Sequence, residues 1–140
     1  MNAQAFRPGL PQAEMIDMIR NRLPGIVAIY LFGSRAAEAA GTESDLDLAV
    51  LAEDPLSAVE VWELAQQLAI STGCDVDLVD LRTASTVMRM QVIAHGQRIF
   101  CTDDWSCDSF EDFVFADHAR LNEERAAILE DVRQRRSIHG

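Results

Sequence analysis

The 140-residue sequence predicts an α/β (α+β) domain, a small mixed sheet of three to four strands flanked by helices and followed by a long C-terminal helix. Three observations predict it. A β-branched apolar run at 26–32 has strand length, and further strand-like segments follow at about 45–51 and 75–81. Helix-period segments lie between and around them, the alternation expected when helices cover a sheet. From 108 onward, Phe110, Val114, Leu121, Ile128 and Val132 recur at helical steps with no strand signal.

Taken in order, the first ten residues form an irregular lead-in carrying Pro8 and Gly9. Residues 12–23 set Met15, Ile16, Ile19 and Leu23 on one helical face, and Pro24-Gly25 stops that helix. The run 26–32 is apolar on both faces, as in a strand covered on both sides. Gly33-Ser34 breaks it and leads into a short helical turn over 34–40. After the strand at 45–51, Asp54-Pro55 offers an N-cap carboxylate and a proline at the first helical position. The helix it opens carries Leu56, Val59, Leu64 and Leu68 on its apolar face and ends at Gly73. A helix over 85–95, closed by Gly96, and a short strand over 98–101 follow. Asp103-Asp104-Trp105 reads as a loop, and Asp108 with Glu111 has the spacing of a capping box for the last helix, about 108–137. Its proximal residues Phe110, Phe113, Val114 and Leu121 are expected on the sheet. Its distal half overhangs and is open to a protein partner.

Composition bounds the function. Residues 1–140 suit a single domain with its own core, the catalytic part spanning about 12–101. Three cysteines without a C-x-x-C pair argue against a disulfide scaffold or a zinc site and favour a reduced, cytoplasmic setting. No basic stretch precedes an apolar run at the N-terminus, so no signal peptide is expected, and no segment is long enough to span a membrane. The net charge of −11 weighs against direct nucleic-acid binding, which relies on cations to displace counterions. All twelve basic residues are arginines, so a phosphate contact from a cationic side chain falls to arginine. His95, His118 and His139 lack ligand spacing. His95 reads as a helix C-terminal contact and His118 as a surface or partner contact.

The chemistry concentrates in one pattern. Gly33-Ser34 leaves a buried strand, ten residues intervene, and Asp45-Leu46-Asp47 opens the next strand. Alternate strand residues share a face, so Asp45 and Asp47 point the same way. Two crowded carboxylates repel unless a cation sits between them, and hard cations such as Mg²⁺ take oxygen ligands while keeping positions for phosphate oxygens. A third carboxylate comes from Asp75 or Asp77, which share a face of the following strand, while Asp80 points the other way. Two metal ions held by such a set activate a nucleophile and stabilise a leaving pyrophosphate. Glycine lets the backbone approach a phosphate, and the Ser34 hydroxyl and amide donate to it. Arg35 is a candidate for neutralising triphosphate charge.

This arrangement resembles the nucleotidyltransferase superfamily of DNA polymerase beta and the aminoglycoside nucleotidyltransferases, and especially its minimal nucleotidyltransferases. Phe32-Gly33-Ser34-Arg35, Ser44-Asp45-Leu46-Asp47-Leu48 and Val76-Asp77-Leu78-Val79 carry the likeness, which covers about residues 12–101. The resemblance implies a polymerase-beta-like fold, with Asp45, Asp47 and Asp77 as metal-binding catalytic residues and Gly33 and Ser34 at the nucleotide phosphates. It also implies an antitoxin paired with a HEPN ribonuclease toxin, which transfers AMP from ATP to a toxin tyrosine. Two other functions are compatible with the chain. One is nucleotidyl transfer to a small molecule of aminoglycoside type. The other is a non-catalytic antitoxin that neutralises by binding.

Overall fold

The structure is a computed structural model that describes residues 10–33 and 45–139. Eight elements follow one another: α1 (Gln12–Arg22), β1 (Ile26–Phe32), β2 (Leu46–Ala52), α2 (Ala58–Thr72), β3 (Val76–Asp80), α3 (Thr86–His95), β4 (Gln97–Cys101) and α4 (Asp104–His139). The four strands form one sheet in the order β3-β2-β1-β4. It is mixed: β1 is antiparallel to β2 and β4, and β2 is parallel to β3. The parallel pair needs a crossover, which α2 supplies.

Strand alternation divides the interior into two layers. Ile29, Leu31, Leu48 and Val50 face Met15 and Ile19 of α1 and Leu64 and Leu68 of α2. Ala28, Tyr30, Ala49 and Leu51 face Val92 of α3 and Cys107 of α4. A bulge between Ile26 and Ala28 explains how Ile26 and Ile29 reach the first layer while Val27 and Ala28 both reach the second. Each fully buried aliphatic side chain contributes roughly 1.5–3 kcal/mol, so this double cover anchors the sheet whose edge carries the candidate site.

Several local expectations change. Helix α2 starts at Ala58, not at Pro55. Ser57 accepts from the Glu60 amide (3.0 Å) and Glu60 accepts from the Ser57 amide (2.9 Å), a complete capping box. The preceding turn is held instead by buried Asp80, which accepts from the amides of Leu56 (2.9 Å) and Arg82 (3.0 Å). Val59 then faces solvent rather than the core. Gly73 ends α2 with φ +79°, as its sequence position predicts.

Helix α4 begins four residues earlier than the sequence reading. Asp103 is its cap, accepting from the Ser106 amide (2.8 Å) and hydroxyl (2.9 Å). Asp108 and Glu111 form no capping box; both accept from Arg98 of β4, at 3.1 and 2.9 Å. Phe110 and Val114 pack inward as expected, but Phe113 is half exposed. Beyond Leu121, residues 122–136 are all exposed, so the distal half does overhang the sheet. Cys101 and Cys107 form a disulfide across the β4–α4 turn, with Cα atoms 6.5 Å apart, within the span such a bond requires. That the β4–α4 turn brings these two cysteines within bonding reach is not visible in their count. No helix among the described residues is long and apolar enough to cross a membrane.

Candidate active site

The candidate site lies at one end of the sheet, where β1 ends and β2 and β3 begin. Phe32 is the register partner of Asp47, and Asp47 is the register partner of Asp77. Neighbours in register point to the same face, so Asp47 and Asp77 stand side by side on the α3/α4 face of the sheet. Asp45 immediately precedes β2 and is exposed, so it does not share the strand with Asp47 as alternation predicts. Asp75 is exposed just before β3, and its carbonyl accepts from the Leu46 amide at 2.8 Å. The register therefore brings Asp77, not Asp75, beside Asp47.

Gly33 completes the cradle from the other side. Its φ is +76°, a conformation that glycine adopts without penalty. A Cβ added there would lie 2.1 Å from Asp47 Oδ2 and 2.9 Å from its Cγ. The Asp47 carboxylate thus rests against bare backbone, and only glycine leaves that space. Ser34 and Arg35, with the expected helical turn over 34–40, lie outside the described residues.

The electrostatics follow from the crowding. Burial, then the Asp77 charge, then the Asp45 charge hold the Asp47 carboxyl above the ordinary carboxylate range. A cation among these groups would relieve that repulsion. The donor set is carboxylate oxygen throughout, which suits a hard divalent cation. Among the described residues no three acidic, imidazole or thiol side chains already close into a metal-binding group. The site is thus an adjacent pair, Asp47 and Asp77, with Asp45 acting at longer range. This pattern fits a cation that keeps open positions for phosphate oxygens.

The surroundings include groups that sequence reasoning missed. Tyr30, buried two residues before Phe32, donates its hydroxyl to Glu111 Oε2 at 2.7 Å, and Arg98 bonds the same oxygen at 2.9 Å. This network ties α4 to β1, the strand that leads into Gly33. Asp80 shares β3 with Asp77 but points into the opposite layer, where it organises the turn before α2. Its phase along the strand was the available signal.

Mixed sheet, paired carboxylates and a glycine at the end of the first strand are the features of a candidate nucleotidyltransferase site. Residues 14–105 match the model of the polymerase beta nucleotidyltransferase family, and the chain belongs to that family. The chain is a homologue of the protein adenylyltransferase MntA of Shewanella oneidensis, 42% identical over 125 residues that cover 88% of each protein. Among solved structures, it is similar to a toxin–antitoxin crystallised with AMP-PNP, with TM-score 0.80 and 41% identity over 88% of this chain and 98% of that one. It is also similar to a chain from the complex of a tri-AMPylated Shewanella oneidensis HEPN toxin with an MNT antitoxin. There the TM-score is 0.72 and the identity 40%, over 86% of this chain and 93% of that one.

Proposed function

We propose that this protein is an antitoxin that transfers AMP from ATP to a tyrosine hydroxyl of a cognate HEPN ribonuclease toxin, and so inactivates it. The observation that carries the chemistry is the register pairing of Asp47 with Asp77 against the bare backbone of Gly33. The acceptor is supported by the likeness to an antitoxin complexed with its AMPylated toxin, over nearly the whole chain.

Asp45, Asp47 and Asp77 are the residues that would hold Mg²⁺, most simply two ions. When bound, Mg²⁺ lowers the pKa of an attacking hydroxyl and neutralises charge on the transferred phosphoryl group. The residues do the rest. Gly33 and Ser34 position the triphosphate by close backbone approach, with Arg35 as a further cationic contact. Asp77, exposed beside Asp47, takes the proton of the attacking hydroxyl. The acceptor oxygen bonds to the α-phosphorus, the bond to the bridging oxygen breaks, and pyrophosphate leaves.

The setting we infer is cytoplasmic, where ATP is available. There the Cys101–Cys107 disulfide would be reduced. Both sulfurs already lie near carbonyl acceptors, Asp103 O at 3.0 Å and Val27 O at 3.7 Å, so reduction leaves each thiol a partner. Intact-mass measurement of the toxin after incubation with ATP, Mg²⁺ and this protein tests the proposal. One or more AMP additions mapped to tyrosine are expected, and an unmodified toxin would exclude the reading.

A further inference from the structure

At the end of the sheet opposite the carboxylates, a groove of about 760 Å³ opens between β1, the turn after β3, and the first turns of α4. Its floor is Val27 and Leu51, and its walls carry Arg82, Arg89, Trp105 and Phe113. Two features set it apart from ordinary surface.

The first is its charge. Arg82 is fixed by donation from Nε to Ala52 O (2.7 Å), and Arg89 by donation to Leu81 O (2.7 Å) and Arg82 O (2.8 Å). Both guanidinium groups stand near the Phe110 ring, 5.9 and 5.8 Å from its centre. Among the described residues no carboxylate lies within 4.0 Å of either guanidinium. Glu53 and Asp103 also line the groove, beyond ion-pair distance of the two arginines. Asp103 is engaged in capping α4. Asp117 senses the Arg89 charge, but its oxygens accept from Thr86 and Arg120. In a chain of net charge −11, the groove thus holds two ordered guanidinium groups that no carboxylate of the described residues approaches to ion-pair distance.

The second is apolar exposure. Trp105 is 78% exposed and Phe113 is 52% exposed, about two turns apart on one side of α4. Ordered arginine beside exposed tryptophan is the composition of residues that dominate protein–protein binding energy, and phenylalanine is enriched at such interfaces. The fixed forks of Arg82 and Arg89 suit a carboxylate, and the neighbouring rings suit an apolar side chain.

We propose that this groove docks an acidic segment of the acceptor protein, a carboxylate seated on Arg82 and Arg89 and an adjacent apolar residue across Trp105 and Phe113. The proposal rests on the reading that the acceptor is a protein. The groove lies roughly 17 Å along β1 from the carboxylates, so it acts on acceptor binding and not on the chemical step. A nucleic-acid ligand is disfavoured by the overall acidic charge.

Calorimetric titration with the HEPN toxin, alongside steady-state AMP transfer, tests it in wild type, Trp105→Ala and Arg82→Gln, with circular dichroism as the fold control. Trp105 is exposed, so its truncation leaves the core intact even if Arg82→Gln loosens the turn. The expected result is a Kd and an acceptor KM raised roughly tenfold in each variant, with kcat and the KM for ATP within about twofold. Unchanged Kd and acceptor KM overturn the groove while leaving AMP transfer standing. Groove-dependent toxin binding without any transfer keeps the groove and removes the catalytic reading. Loss of RNA binding or of self-association in Trp105→Ala, with toxin binding intact, gives the groove to another occupant and overturns the proposal.

Discussion

Asp77 stands beside Asp47 across the parallel β2–β3 pair, and Gly33 closes the other flank of Asp47 with no side chain between them. Asp75, two residues away, contributes its backbone carbonyl to Leu46 instead. The arrangement separates two carboxylates that strand alternation alone treats as equivalent. We therefore expect Asp77→Asn to lower AMP transfer roughly a thousandfold, the scale of losing charge stabilisation worth several kcal/mol. Asp75→Asn should retain activity within about a few-fold, since surface substitutions rarely perturb a fold. Initial rates of the two variants check this, and equal losses would contradict the assignment.

Gly33→Ala should abolish transfer while the chain still folds. The added methyl would meet Asp47 Oδ2 at 2.1 Å, and the positive φ adds strain of about 1 kcal/mol. The carboxylate must then move. Thermal melting should show modest destabilisation, and transfer should fall far more than stability does.

Asp47 sets a pH dependence in the metal-free protein. Its folded pKa is raised above 3.8 by burial and by the charges of Asp77 and Asp45. The folded state therefore binds its proton more tightly than the unfolded state, and stability falls as pH rises from about 3.8 through the raised value. Asp47→Asn removes that loss. Without Mg²⁺ at neutral pH, the variant should melt at a higher temperature than wild type, and the difference should vanish below the unfolded carboxylate range. A lower melting temperature at neutral pH would contradict the crowding described for the site.

Tyr30 sets a second dependence, at the alkaline end. Burial, then its bond to Glu111 and that carboxylate's charge, raise its pKa far above 10.0. The unfolded chain loses this proton near the ordinary value and the folded chain does not. The contribution of Tyr30 is thus complete below about pH 10 and is lost as pH climbs toward the folded value. Tyr30 is the single tyrosine in the chain, so phenolate absorbance reports it alone. Titration should show no ionisation in the folded protein near pH 10, followed by a rise coincident with unfolding. Tyr30→Phe should cost about 1–2 kcal/mol at neutral pH.

Much of this fold is legible in the sequence, because its strands are short apolar runs bounded by glycine, proline and aspartate. The ends of α1 and α2, the strand at 26–32 and the helix before Gly96 emerge from those signals alone. Helix starts are less legible where two caps compete. Asp54-Pro55 and Ser57-x-x-Glu60 are both good openings, and the tertiary bond from Leu56 to Asp80 decides for the second. The start of α4 is hidden the same way, because Arg98 takes the carboxylates that local spacing assigns to a capping box. At the site, the Gly33 and Asp47 positions are evident from spacing, but choosing between Asp75 and Asp77 requires the register of β2 against β3. The arginine groove depends on elements that meet only in three dimensions, so no local pattern announces it, and the Cys101–Cys107 bridge requires the tight β4–α4 turn, which cysteine spacing alone does not reveal.

In the proposed function, AMP transfer to the toxin depends on Asp45, Asp47 and Asp77. The most direct measurement is label transfer from ATP carrying the isotope at its α-phosphate, with Mg²⁺ and the HEPN toxin, comparing wild type with Asp45→Asn/Asp47→Asn. Label is expected on the toxin with wild type and none with the double variant. Absence of label with wild type, or equal labelling by both proteins, would contradict it.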